Sequence, residues 1–231
     1  MNYFLTEEQQ MVKDLAAKIA AEKAVPLVAE LDEKEEFPWE VMKTLASSDL
    51  FGVYLPEEYG GFGGGVLELC LVTEELSKVC CGMGVCYAAS ALGTLPILLF
   101  GNDAQKQKYL PDIAAGKKLA AFGLTEANAG SDAASVATTA VRDGDFYVLN
   151  GTKQWITNAG EAEVYTVIAL TDKAKGIRGA SAFIVEKGTP GFSFGKKEKK
   201  MGIRCSATRE LIFQDCRIPK ENIIAREGMG F

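Results

Sequence analysis

The sequence predicts an α+β protein in two parts: an N-terminal all-α helical bundle domain over residues 1–118, then a β-barrel or sandwich domain over 119–231. Three observations carry that expectation. Apolar residues recur at helical spacing through the first half of the chain. Near Leu119 that spacing gives way to alternation and β-branched residues. Asp143-Gly144 then falls between two alternating runs, where it accepts the positive φ of a tight hairpin turn. At 231 residues and 48% hydrophobic content, the chain has enough apolar material for one or two cored domains.

Thr6 with Gln9 reads as a capping box, in which a hydroxyl and a side-chain amide satisfy free N–H groups at a helix start. Met11, Leu15 and Ile19 follow at i, i+4 and i+8, predicting one apolar stripe toward the core. Pro26 kinks or ends that helix. Pro38 suits the first turn of the next, which carries Val41, Met42 and Leu45. A glycine-rich loop is expected over 55–65, a helix over 66–79 and a more apolar, buried helix over 80–100. Asn102 and Asp103 can cap a last helix bearing Tyr109 and Leu110, which stops near Gly116. Strands are expected around 136–141, 146–149, 164–170, 182–185 and 211–213, and Asn150-Gly151 repeats the turn signal. The run Lys196, Lys197, Lys199 and Lys200, interrupted by Glu198, reads as a solvated loop or strand edge.

Composition removes several functions. Lys and Arg number 25 against 31 Asp and Glu, a net charge of −6, which argues against nucleic acid or an anionic membrane as main partner. There is no histidine, so the chain alone offers no His-based triad, His-ligated zinc or imidazole base. Cys70, Cys80, Cys81, Cys86, Cys205 and Cys216 contain no C-x-x-C, and are expected as reduced, buried, small apolar groups of a cytoplasmic protein without a metal site. Met1 to Glu8 lacks the basic start and apolar run of a secretory leader. The apolar stretch 85–100, broken by Ser90, Gly93, Thr94 and Pro96, is expected to fall short of the roughly 18 residues of a membrane span.

Two segments invite chemistry. Phe122-Gly123-Leu124-Thr125-Glu126-Ala127-Asn128-Ala129-Gly130-Ser131-Asp132 leaves a strand and enters a loop of small residues, whose main chain can come close to an anion or a flat polar ring. Taken alone, it reads more plainly as a strand-to-loop turn; it holds neither G-x-G-x-x-G nor a Walker pattern. Gly151 to Gly160 carries Trp155, whose indole either packs in a core or covers an aromatic cofactor, with Thr157 at the ring's edge. Two such segments on neighbouring strands could hold one flat heterocycle; spacing permits this without selecting it.

Leu124-Thr125-Glu126 running to Gly130-Ser131-Asp132, Asn150-Gly151-Thr152-Lys153 and Trp155-Ile156-Thr157-Asn158 together resemble the acyl-CoA dehydrogenases. Leu55-Pro56-Glu57-Glu58-Tyr59-Gly60-Gly61, Phe100-Gly101, the run from Gln105 to Pro111, and Gly202-Ile203-Arg204 with Ser206 extend the resemblance over the whole chain, in the family's order. The resemblance implies FAD, bound by Phe122, Gly123, Leu124, Thr125, Glu126, Gly130, Ser131, Trp155, Ile156 and Thr157. Thr125 would bond the flavin edge, Ser131 would face both the pyrophosphate and the acyl-CoA thioester arm, Trp155 would shield one flavin face, and Thr157 would sit near N5. The implied reaction removes an α-proton with a carboxylate and passes the β-hydride to the flavin, making the 2-enoyl-CoA; an electron-transfer flavoprotein takes the electrons.

Ala127 departs from the proline that most members carry after Thr-Glu. The family's third, helical domain, with the catalytic glutamate and the contacts of a homotetramer, would begin beyond Phe231, so no catalytic base is assigned in this chain. Within it, Glu126 is expected to be structural, and Glu74 and Glu75 to be solvated or paired on a helix surface. Leu95, Pro96 and Leu99 border either core or acyl pocket. The alternatives to the dehydrogenase are a flavin oxidase or monooxygenase of the same fold, and a non-catalytic fragment that binds nucleotide or acyl-CoA.

Overall fold

The computed structural model describes residues 4–231; Met1–Tyr3 of the N-terminal stretch read above lie outside the described residues. Helix α1 (Glu7–Ile19) opens on the expected box: Gln9 N donates to Thr6 Oγ1, and Thr6 N to Gln9 Oε1. Around Pro26 the chain does not simply break. It passes through a π turn at Ala20–Ala24 and a 3₁₀ turn at Val25–Leu27 into α2 (Val28–Lys34), which ends at Glu35 with φ 58°. Then come α3 (Trp39–Ser47), with Pro38 as its N-cap, α4 (Val66–Val79), α5 (Cys81–Phe100) and α6 (Asp103–Ala114), the last opened by an Asn102–Gln105 capping box.

The stripe expected on α1 is only partly correct. Ile19 is buried, but Met11 is 70% exposed and Leu15 is also exposed; the inward residues are Ala16, Ile19 and Ala20. Small alanines suit the close approach of packed helices, and here they are buried while Met11 and Leu15 are exposed. The expectation for 85–100 is corrected too. Helix α5 has 20 residues and is long and apolar enough to cross a membrane, by length and composition only. Here it serves as a core helix: Met83, Cys86, Tyr87, Ala91 and Ile97 are buried, and the Tyr87 hydroxyl donates to Leu50 O at 2.6 Å.

The strands are β1 (Ala120–Gly123), β2 (Thr139–Asp143), β3 (Phe146–Thr157), β4 (Val164–Leu170), β5 (Ala180–Glu186), β6 (Phe192–Phe194), β7 (Thr208–Pro219) and β8 (Ile223–Ile224). They form one hydrogen-bonded path, β6-β7-β3-β2-β4-β5-β8, with β1 beside β4. Most pairs are antiparallel, but β1–β4 and the short β2–β4 contact are parallel. Asp143-Gly144 makes the β2–β3 hairpin as expected. Asn150-Gly151 makes no turn: it lies inside β3, where Gly151 (φ 146°) sits at a bulge against β7. Positive φ suits both features, which is why the dipeptide misleads. The short strands β6 and β8 lay outside the expected set.

Helix α5 joins the two parts. Gly93 presses on β1, where a Cβ would lie 2.5 Å from Ala121 N. Around it, Ala120 N donates to Ser90 Oγ at 3.0 Å, and Thr166 Oγ1 to Gly93 O at 2.8 Å. Gln105 reaches from α6 to the carbonyls of Glu221 and Ile223, both at 2.7 Å.

Candidate functional site

The two segments singled out in the sequence meet. Strand β1 delivers Phe122 and Gly123 into the loop beginning at Leu124, and Gln154 N on β3 donates to Thr125 O at 2.8 Å. Below this bond lies a buried ion pair: Lys153 Nζ, 0% exposed, donates to Glu126 Oε1 at 2.6 Å and to Leu124 O at 3.0 Å. Glu126 also accepts from Ala137 N at 2.6 Å and Thr138 N at 3.1 Å, so its carboxylate fixes both ends of the loop. Burial alone would raise that carboxyl's pKa; the hydrogen bonds from Lys153, Thr138 and Ala137 outweigh it, and the net shift is downward. A carboxylate so engaged is a brace rather than a free base, in line with the structural role expected for it.

Between its ends the loop is open. Glu126 and Ala129 bond each other's backbone at 3.1 Å, which leaves Ala127 and Asn128 as an exposed tip. Gly130 and Ser131 follow, exposed, and a Cβ added at Gly130 would meet nothing within 4 Å. Phe122 and Leu124 are half-buried against the core, and Gly123 is buried where a Cβ would lie 3.0 Å from Leu211 Cδ1.

A second bulge in β3, between Lys153 and Ile156 against β7, sets the side chains of the other segment. Trp155 takes φ 56°, a left-handed conformation unusual for a bulky residue, and is 58% exposed while Lys153 and Ile156 are buried. Strain of this kind persists only where the surroundings enforce it, here the flanking β3–β7 pairs. Thr157 is half-buried opposite Thr208. The side chain of Ile156 points into the core, so any contact it makes with a ligand must come from its main chain.

Two residues quoted within the sequence motifs were given no role there. Lys153 could have been found from strand parity: 147, 149 and 153 share the inward side of β3, and a lysine there requires a carboxylate. Asn158, fully buried, donates to Cys86 O at 2.8 Å and Ala120 O at 3.5 Å, holding the end of β3 against α5 and β1; no periodic signal marks it. Of the other acidic candidates, Glu74 is exposed and paired with Lys78. Glu75, expected on the surface, is instead buried, bound by Lys78 at 2.7 Å and Lys13 at 3.7 Å. Leu95 is half-buried and Leu99 exposed on the outer side of α5. The thiols also depart from expectation: all six are free, but Cys70 and Cys81 are exposed and Cys80 half-exposed.

Sequence comparison gives this geometry a context. A profile of the acyl-CoA dehydrogenase N-terminal domain matches residues 6–117, and one of the acyl-CoA dehydrogenase middle domain matches 121–216. The short-chain specific acyl-CoA dehydrogenase of Clostridium acetobutylicum is 47% identical over the whole chain, which covers 61% of that protein. Among solved structures, a chain from work on the electron transferring flavoprotein of Acidaminococcus fermentans superposes with a TM-score of 0.97 at 50% identity; all of this chain matches 61% of that one. An acyl-CoA dehydrogenase of Bacillus anthracis complexed with FAD gives 0.91 at 41% identity, over 98% of this chain and 39% of that one. The chain thus spans about three fifths of the length of the first relatives it matches.

Proposed function

The chain belongs to the acyl-CoA dehydrogenase family, and on that premise we propose that its protein converts a short-chain acyl-CoA to the 2-enoyl-CoA with FAD, in partnership with an electron-transfer flavoprotein. The observation that carries the reading is the Gln154–Thr125 hydrogen bond, which sets the loop of small residues beside the strained tryptophan. The residues fit a flat ring with a charged tail. Gly130 faces open space, and among the described residues no internal hydrogen bond engages the hydroxyls of Thr125, Ser131 or Thr157.

In this reading FAD supplies the two-electron acceptor for the β-hydrogen. The chain's own residues bind and orient. Thr125 and Thr157 offer hydroxyls to the polar edge of the ring, and Trp155 lays an indole along one face, excluding water there. Ser131 and the exposed backbone around Gly130 meet the anionic phosphates. The side chains of Glu126 and Lys153, engaged with each other and with the loop's backbone, would hold the loop in shape, leaving the backbone of Glu126 for the cofactor. The base that takes the α-proton is assigned to no residue of this chain, and a homotetramer belongs to the same reading.

The test is anaerobic addition of butyryl-CoA to the FAD-loaded full-length protein. The flavin band should bleach, crotonyl-CoA should form, and electron-transfer flavoprotein should restore the band. A flavin that stays oxidised with every saturated acyl-CoA tried would sink the proposal, and fast re-oxidation by air would favour the oxidase alternative.

A further inference from the structure

Outside this site, two thiols meet where the helical part joins the loop between β6 and β7. Cys80 caps both the end of α4 and the start of α5, and its Sγ stands 3.7 Å from Cys205 Sγ, a residue 125 positions away. The approach is built into the fold. Gly82, in the first turn of α5, has no side chain where the Cys205 sulfur sits; a Cβ there would come within 2.5 Å of Cys205 Sγ and 3.4 Å of Ile203 Cγ2. On the other side Arg204 anchors the loop to the end of α2: its N–H donates to Asp32 Oδ1 at 3.1 Å, and its guanidinium to Glu33 O at 3.3 Å and Glu35 Oε1 at 3.1 Å. Ser206 N closes a turn onto Ile203 O at 3.1 Å, and Lys200 Nζ donates to Ser206 O. Cys205 is therefore held from both sides.

We propose that Cys80 and Cys205 form a redox-responsive dithiol that closes to a disulfide by exchange with a low-molecular-weight disulfide, Cys80 attacking and Cys205 resolving. Access sets the order, since Cys80 is half-exposed and Cys205 buried. The Cys80 thiol is also the better thiolate: the hydrogen bond from Cys205 lowers its pKa against the effect of burial, with help from the N–H groups of Met83 and Gly82 at the start of α5. In the first step the Cys80 thiolate bonds to one sulfur of the small disulfide and releases the other as a thiolate. In the second, Cys205 gives up its proton and attacks Cys80 Sγ, releasing the remaining small thiol. The protein loses two electrons and two protons; the small disulfide becomes two thiols. The sulfurs need to close from 3.7 Å to bonding distance, a displacement under about 2 Å. The new bond would tie the α4–α5 junction to the β6–β7 loop and so lock the helical and β parts together.

Oxidised glutathione is a suitable probe, applied to the full-length protein carrying Cys70→Ser and Cys81→Ser so that the exposed thiols do not react. The expected product has lost two hydrogens, carries no glutathione at Cys80 and yields a Cys80–Cys205 cross-linked peptide; its thermal midpoint rises and dithiothreitol reverses the rise. Adding Cys205→Ser should trap one glutathionyl group on Cys80, and adding Cys80→Ser should leave Cys205 unmodified. A glutathionyl group that persists on Cys80 with Cys205 present, or a Cys80 that stays free under the same treatment, would overturn the proposal.

Discussion

Glu126 and Lys153 have side chains that avoid water almost completely, at 7% and 0% exposure for the residues, and neither would be tolerated there alone. Glu126→Gln should cost about 3–5 kcal/mol in urea unfolding, because an ammonium is then left buried without its partner. Lys153→Met should also destabilise. The double variant should lose clearly less than the sum of the two, since each single change removes the same interaction. Acid should expose the pair as well. The folded Glu126 carboxyl titrates below its ordinary value of 4.5, so its contribution is complete above that value and fades as pH falls through the lower folded one. The acid limb of the stability profile should therefore flatten in Glu126→Gln. Glu126 was legible in the sequence as part of a loop; its partner was legible only to parity along β3, which the bulges obscure past Lys153.

At the scale of elements, what the sequence revealed depended on how regular each element is. Helix α4 fills the predicted 66–79 because uninterrupted apolar spacing and a glycine before it leave no competing reading. The Thr6–Gln9 capping box was readable because it is a local pattern of two side chains; at α6 only the cap Asn102 was read, and its box partner Gln105 was not. Strand β3 was read as only 146–149, since its twelve residues contain two register shifts that break the alternation. The bulge at Gly151 is nonetheless demanding. With φ 146° and a Cβ position 2.5 Å from Thr138 Oγ1 and 2.7 Å from Thr138 Cα, Gly151→Ala should cost about 1–3 kcal/mol from strain and overpacking, measured by thermal or urea unfolding. Wild-type stability in that variant would mean that the bulge is not rigid. On α1 the misreading came from weighing size over fit: alanines at 16 and 20, not methionine and leucine at 11 and 15, meet the core.

Across the whole molecule, α5 is the spine on which both parts pack, and the site lies beside its contact with β1. Gly93 is a point of close approach to β1, so Gly93→Ala should push α5 from the sheet and destabilise the protein by about 1–3 kcal/mol. The two-part architecture was readable because the period of the pattern changes at the junction; the joints themselves, made by Gly93, Ser90, Thr166 and Asn158, depend on long-range contacts that no local pattern announces. The same holds for the site. Its two segments were visible separately, while their meeting depends on the Gln154–Thr125 bond. These 231 residues hold two tryptophans, Trp39 beside Phe37 and Trp155 at the site, so the most direct measurement is a fluorescence titration of the Trp39→Phe apoprotein with FAD, with the signal of a Trp39→Phe, Trp155→Phe control subtracted. Saturable quenching of the remaining Trp155 emission, with the same midpoint as the change in flavin absorbance, is the predicted result. FAD binding that leaves Trp155 emission untouched, or no FAD binding at all, would contradict the placement of the cofactor between these two segments.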